Sequence, residues 1–226
     1  MKKFLSLLLA LMTLALPVLA EAPAVNVYVS VTDDTGALAL AYQSVAVTDA
    51  DADGVLTIND ALTCAHAAHH ELGADAYAAS ATDYGMSMNR LWNVENGGSY
   101  GYYLNDLSAW SLLDPVVEGD HVKAYCFTDL AAWSDTYAFF HAPALNAGAG
   151  EAITLTLSAA AFDASFAPIT IPVAGATITV NGESANVVTD AEGKTTITLA
   201  ECGVYTISAS TDAMTMVAPV CVITVE

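Results

Sequence analysis

The chain has 226 residues, 55% of them hydrophobic, and it carries 5 Lys and Arg against 25 Asp and Glu, a formal net charge of −20 at pH 7. This charge repels nucleic acid and anionic membrane surfaces, so both are excluded as partners. The length allows one or two domains, with enough apolar material for a core.

Residues Met1–Ala20 have the pattern of a secretory signal peptide. Lys2 and Lys3 form a basic start, an apolar segment follows, and small residues precede Glu21. The apolar segment is too short for a membrane span, and no later stretch is long enough. We therefore expect a secreted, extracellular protein, with any attachment to a cell surface made through a partner.

Residues 21–141 have the element order of a β-grasp domain, in which a mixed sheet wraps around one helix. Alternating valines predict a strand at Ala24–Val31, and Ala37–Val47 returns from it. A helix is predicted from Ile58 to about Leu72. Its apolar stripe, predicted to face the sheet, is Ile58, Leu62, Ala65, His69 and Leu72. Later strands are predicted at Met86–Trp92, Ser99–Asn105, His121–Thr128 and Thr136–Phe140.

The segment Asp49–Asp60, between the second strand and the helix, matches a twelve-residue calcium loop. Ca²⁺ takes six to eight oxygen ligands, and Gly54 at the sixth position permits the sharp turn that such a loop needs. Thr57 and Asp60 also form the hydroxyl-acid pattern that caps a helix start. The alternative is an acidic turn that binds no ion. The predicted Ca²⁺ ligands are Asp49, Asp51, Asp53, the Val55 carbonyl, Thr57 and Asp60, an Asp where the usual residue is Glu.

Residues 142–150 are small and predict a flexible linker. The chain beyond them contains short alternating segments and a hairpin signal at Asn181-Gly182. This pattern predicts an immunoglobulin-like or prealbumin-like β-sandwich over residues 151–226. The fold class of the whole chain is therefore α+β followed by all-β.

The four cysteines permit two disulfides in an exported protein. If pairing stays within each domain, the bonds are Cys64–Cys126 and Cys202–Cys221. Free thiols are the alternative.

Aromatic and amide side chains near the predicted strand 99–105 suggest a ligand surface. Rings beside amide groups can bind a sugar ring or another flat ligand. Alternate rings of a strand face opposite sides, so part of this set is expected to belong to the core. The candidate ligand-binding residues are Trp92, Asn96, Tyr100, Tyr102, Tyr103 and Trp110.

The sequence shows no catalytic constellation. His66 and His70 are four residues apart and could chelate zinc, but no third ligand has a suitable offset, and packing on the helix flank is the alternative. A nucleophilic Cys64 or Cys126 would need an ordered base and an oxyanion hole, and the sequence contains no motif that indicates either. The motifs of serine hydrolases, phosphate loops and dinucleotide sites do not occur. We therefore expect no enzymatic activity.

Two segments of the first domain carry a family resemblance. Glu95–Asn105, which contains Tyr-Gly-Tyr-Tyr-Leu-Asn, is followed by Val117–Val122, which reads Val-Glu-Gly-Asp-His-Val. Together they resemble secreted bacterial domains of unknown function related to the C-terminal β-domain of transcobalamin and intrinsic factor. The resemblance covers about Val25–Phe140. It implies a β-grasp-like fold and a face for a corrinoid or another small ligand.

Two further resemblances concern the loop and the second domain. Asp49–Asp60 resembles one dockerin-type calcium repeat, although dockerins carry two in tandem. Gly175–Gly182 and Thr189–Thr195 resemble sandwich modules of bacterial surface proteins, which commonly act as spacers or adhesive units.

These observations predict a secreted, calcium-stabilised, non-enzymatic protein for extracellular binding or adhesion. Its partner would be a glycan, a protein or a small molecule. A small-ligand protein of the corrinoid-binding kind is the alternative, and a secreted hydrolase is a third possibility that lacks a catalytic motif.

Overall fold

The computed structural model describes residues 24–83 and 85–226. The predicted signal peptide, residues 1–20, lies outside the described residues. Within the described part the chain is mostly β-strand and forms one α-helix. No helix in that part is both long and apolar enough to cross a membrane.

The elements fall into two groups that we name by their content. The helical unit contains β1 (Val25–Thr32), β2 (Leu38–Val47), α1 (Ile58–His69), a short 3-10 helix (Gly73–Ala76), β3 (Ala78–Thr82), β4 (Gly85–Arg90), β5 (Tyr100–Leu104), β6 (Leu107–Ser108) and β7 (His121–Cys126). The sandwich unit contains β8 (Thr136–Phe140), β9 (Ala144–Ala147), β10 (Ala152–Phe162), β11 (Pro168–Pro172), β12 (Thr177–Val180), β13 (Glu183–Val188), β14 (Lys194–Thr198), β15 (Gly203–Ser210), β16 (Met216–Val217) and β17 (Cys221–Val225).

The main sheet of the helical unit has the order β2-β1-β7-β5-β6. Its two central neighbours, β1 and β7, run parallel, whereas β1 and β2 form an antiparallel hairpin. The predicted alternation in β1 is confirmed, because Val27, Val29 and Val31 are fully buried in the core that the sheet shares with α1. Burying a side chain of this size contributes about 1.5–3 kcal/mol.

Helix α1 begins where the sequence predicts and ends earlier. Thr57 is its N-cap, and its hydroxyl and the Asp60 carboxylate each accept a hydrogen bond from the other residue's backbone amide. The prediction that the helix reaches Leu72 is wrong, because His70 already has extended backbone angles. The ring of His70 instead accepts a hydrogen bond from the Leu72 amide at 3.0 Å, which stabilises a turn at this point. The predicted stripe is also shifted, since His66 is buried and His69 is exposed.

Two sheets pack around one core in the sandwich unit. One has the order β11-β10-β8-β16, with β14 also paired to β10, and the other has the order β13-β12-β15-β17-β9. Strand β8, predicted as the last strand of the first domain, therefore pairs with the second. Part of the predicted linker is also a strand, because Ala144–Ala147 pairs in parallel with β17. Leu145 and Ala147 pack against the core, a packing role that the small-residue composition concealed.

The sandwich unit covers the face of the main sheet that is turned away from α1. Tyr103 and Tyr125 on that face pack with Tyr137 of β8 and Val217 of β16. Both faces of β7 are consequently covered, and all six of its residues are buried.

The two disulfides that the sequence permits are not formed, since all four cysteines are free. Cys126 faces the helix-side core, with its sulfur 4.0 Å from the Leu91 carbonyl, whereas the Cys64 sulfur lies 3.8 Å from the Thr48 carbonyl. Cys221 is buried and Cys202 is exposed. The alternative of free thiols therefore applies.

Candidate functional site

Three carboxylates converge in the loop between β2 and α1. Asp49, Asp51 and Asp53 each place an oxygen within 4.8 Å of the others. Two oxygens bound to the same Ca²⁺ at 2.3–2.6 Å are at most about 5 Å apart. The spacing of these three side chains is therefore compatible with one shared cation.

Backbone amides of the loop hold these carboxylates in place. Asp49 accepts hydrogen bonds from the amides of Asp53 at 3.1 Å and Gly54 at 2.8 Å, and Asp53 accepts one from Val55 at 2.8 Å. Gly54 has a φ of +90°, a conformation that glycine adopts without strain. Slight desolvation of this exposed side chain, followed by the charges of Asp60 and Asp53, raises the pKa of Asp51. A bound cation would relieve this repulsion.

The other predicted ligands have different surroundings. The Asp60 carboxylate is fully buried and accepts hydrogen bonds from the Thr57 amide at 2.9 Å, the Thr57 hydroxyl at 2.7 Å and the Ala50 amide at 2.9 Å. Thr57 and Asp60 thus join the start of the loop to the helix cap. Val55 is exposed, next to the three carboxylates in sequence. The grouped oxygens in the described structure come from Asp49, Asp51 and Asp53.

The predicted aromatic surface is divided between two faces of the main sheet. Tyr100 and Tyr102 pack against the helix-side core, and the Tyr100 hydroxyl lies 2.9 Å from the Asn89 carbonyl and 2.8 Å from the Val94 carbonyl. Tyr103 points to the opposite face, where its ring stacks on Tyr137 with centroids 3.5 Å apart.

The remaining three residues of that set occupy separate positions. Trp92 packs against the rings of His66 and His70, and Asn96 closes a turn through hydrogen bonds with the backbone of Ser99. Trp110 is 96% exposed on a loop. The six residues therefore do not form one common surface, and ligand binding by them stays a prediction.

The zinc-chelating alternative for His66 and His70 is wrong. The His66 Nδ1 atom lies 2.6 Å from the Leu62 carbonyl, and Nε2 accepts a hydrogen bond from the Trp92 amide at 3.0 Å. Both ring nitrogens are thus engaged within the core. Burial lowers the pKa of His66 to about 4, so the ring is neutral. Burial also raises the pKa of Cys126 to about 12, which keeps that thiol protonated and a poor nucleophile.

A groove of about 530 Å³ lies between the two units and was missed by the sequence analysis. Tyr103, Tyr137 and Phe139 contribute aromatic rings to it, and Asp106 and Asp135 contribute carboxylates. Four exposed apolar side chains also line it, namely Leu107, Trp133, Phe162 and Ile169. These residues are far apart in sequence, so no spacing motif could reveal them. The available signal was large apolar residues in short strands and turns.

Comparison with known proteins gives no family assignment. No family model matches the chain, and no curated protein matches it. Among solved structures, it matches crystal structures of the N-terminal four Ig domains of Dscam1. Isoform 4.44 is 11% identical over 47% of this chain and 23% of that chain, with a TM-score of 0.26. Isoform 7.44 is 12% identical over 66% of this chain and 36% of that chain, with a TM-score of 0.26. The chain spans about a quarter of the first of these structures.

Proposed function

We propose that this is a secreted, non-enzymatic protein of extracellular binding or adhesion, and that it binds its partner at the groove between its two units. The observation that carries the proposal is the gathering of Leu107, Trp133, Phe162 and Ile169, all exposed, along one groove. Contiguous exposed apolar surface on a soluble protein marks interaction sites.

We include in this proposal a β-grasp fold for the helical unit and an immunoglobulin-like fold for the sandwich unit, and the arrangement of the strands supports both. Parallel central strands, a flanking hairpin and one helix support a β-grasp interpretation of the helical unit. Two sheets around a common core support an immunoglobulin-like sandwich. Since the second unit also covers one face of the main sheet, the groove has walls from both units.

A specific observation favours a small-ligand carrier as the second candidate. A separate groove of about 410 Å³ lies beside Tyr100 and Tyr102, and Met86 and Met88 also line it. Flat apolar ligands bind in concave sites of this composition. A coloured, corrinoid-loaded preparation, with loading reduced by Tyr102→Ala, would favour this candidate over the first.

Binding at the groove between the units predicts that Trp133→Ala reduces the retention of glycan or peptide array ligands by at least about tenfold, since tryptophans at interface centres often contribute 2 kcal/mol or more. Val204→Ala is the control, because Val204 is 67% exposed, close to the 64% of Trp133, and does not line the groove. Equal array signals from the wild type and both variants would reject this site.

We further propose that Ca²⁺ bound by Asp49, Asp51 and Asp53 stabilises the junction of β2 and α1. Ca²⁺ at 100 times its dissociation constant should add about 2.7 kcal/mol to the free energy of unfolding. Calorimetry in Ca²⁺ and in chelator should show this shift for the wild type and not for Asp49→Ala. Asp34→Asn, which removes a charge at an exposed turn of the same unit, should keep it. Identical melting curves with and without chelator for the wild type would contradict the proposal.

A further inference from the structure

Three turns between strands in the described residues have the same geometry, and one of them lacks the glycine that the other two carry. In each turn an aspartate side chain accepts hydrogen bonds from the amides two and four residues later. The residue three positions after the aspartate has a positive φ. The accepting side chains are Asp33, Asp163 and Asp190. The positive-φ residues are Gly36 at +81°, Phe166 at +62° and Gly193 at +72°.

Phe166 is the exception among these three turns. A side chain other than glycine is strained in the left-handed region, by roughly 1–2 kcal/mol. Phe166 is also 86% exposed, so burial of its ring does not compensate for the strain. A strained residue whose side chain contributes little to the core is a candidate for a functional role.

A second exposed aromatic residue has the same unusual backbone. Trp133, in the connection between β7 and β8, has a φ of +51° and is 64% exposed. Trp133 lines the groove between the units. Phe162 and Ile169, which lie on either side of the turn that carries Phe166, line it too. The two strained aromatic residues therefore belong to two segments that border the same groove.

The charge of the groove selects among possible occupants. Asp106 and Asp135 line it, whereas the described lining residues include no Lys or Arg. Lys123 is close enough to Asp106 to interact with it, but the lysine is buried and its amine donates to two backbone carbonyls. With a net charge of −20, a second copy of this chain would be repelled. An occupant that complements the groove carries positive charge and apolar groups.

We propose that this groove binds an extended segment of a partner protein in which Lys or Arg alternates with apolar side chains. The inference rests on the proposed binding function and specifies its ligand. The apolar side chains would contact Trp133, Phe162 and Phe166. The cation would lie near the carboxylate of Asp106, which attracts it across the groove.

The test uses the full secreted chain and three fluorescent octapeptides, in which Leu alternates with Lys, Leu with Glu, or Ser with Lys. Fluorescence anisotropy at physiological ionic strength should show that the Leu/Lys peptide binds at least about tenfold more tightly than the other two. Trp133→Ala and Asp106→Asn should each weaken its binding by about tenfold or more. The controls Val204→Ala and Asp34→Asn, at exposed positions outside the groove, should leave it unchanged.

Phe166→Gly separates a binding role from a structural one. Removing the strain should raise the melting temperature by about 2–4 °C, while binding of the Leu/Lys peptide weakens severalfold. If the Ser/Lys peptide bound as tightly as the Leu/Lys peptide, the interaction would be general charge attraction, and the inference would be overturned. Glycan binding that depends on Trp133, without any peptide preference, would overturn the inference and leave the proposed function standing. The absence of any Trp133-dependent ligand would overturn both.

Discussion

Acidification from pH 7 to pH 4 is expected to lower the free energy of unfolding of this protein by roughly 6 kcal/mol, because two buried histidines accept protons only when the chain unfolds. Burial lowers the pKa of His66 to about 4 and that of His121 to about 3, from an ordinary value of 6.5. Below pH 6.5 the unfolded chain therefore binds protons that the folded chain does not, and the free energy of unfolding decreases as the pH is lowered. At pH 4 each histidine accounts for roughly 3 kcal/mol, compared with 5–15 kcal/mol for a typical folded domain.

Urea unfolding at several pH values between 7 and 4 measures this loss. His66→Gln and His121→Gln should each lower stability at pH 7, since glutamine replaces the ring imperfectly, and should make the pH dependence shallower. His69→Gln is the matched control, because His69 lies on the same helix and is exposed. A wild-type protein as stable at pH 4.5 as at pH 7 would contradict the expectation.

Patterns that act within a few residues could be predicted from the sequence. The alternating valines of β1 specify a strand without information from the rest of the chain. The spacing of Thr57 and Asp60 likewise specifies the helix start, since the two residues cap each other. The convergence of Asp49, Asp51 and Asp53 follows from the same local logic, because alternating acids before a glycine lie along one tight turn.

The position of His66 could not be predicted in this way. A stripe spaced by three and four residues places His69 toward the sheet, whereas the structure buries His66. The partner that explains this is the amide of Trp92, 26 residues away, which donates to the His66 ring. A partner this distant in sequence leaves no periodic signal in the helix.

Contacts between the units were also beyond sequence reasoning. In β7 the residues His121 and Lys123 alternate with apolar ones, which is typical of a strand with one exposed face. Both are buried. Lys123 donates to Ala138 and Ala218 of the sandwich unit, whereas His121 packs against Ser30 and Tyr42 of the helical unit. The groove depends on the same packing, as it combines Asp106 and Tyr103 of one unit with Phe139 and Phe162 of the other.

Lys123→Met is expected to destabilise the protein by several kcal/mol, and more strongly at pH 9 than at pH 7. Lys123 is 1% exposed, and its Nζ donates to the carbonyl of Ala138 at 3.2 Å and to that of Ala218 at 2.6 Å. Methionine preserves much of the volume but leaves both carbonyls without this donor, at about 1–3 kcal/mol for each buried group. Lys123 thus holds the two units together through the backbone of the sandwich.

The pH dependence follows from the charge of this buried amine. Burial lowers the pKa of Lys123 to about 7 from 10.5, and the charge of Asp106 opposes the change. At a pH between these two pKa values, the lysine of the unfolded chain carries a proton that the lysine of the folded chain lacks. The contribution of Lys123 to stability therefore rises as the pH rises. From pH 7 to pH 9 the gain is about 2 kcal/mol. Lys123→Met lacks this gain, so its deficit relative to the wild type widens by that amount.

Comparing wild type and variant at each pH isolates the lysine from other titrating groups. Burial raises the pKa of Cys126 and Cys221 to about 12, so stability is lost near pH 9 as the unfolded thiols ionise. Both proteins share that loss, and it cancels in the difference. Lys194→Met, at the exposed start of β14, should show no deficit that depends on pH. A deficit for Lys123→Met that stays constant from pH 7 to pH 9 would mean that Lys123 remains charged in the folded protein, stabilised by Asp106 and the two carbonyls.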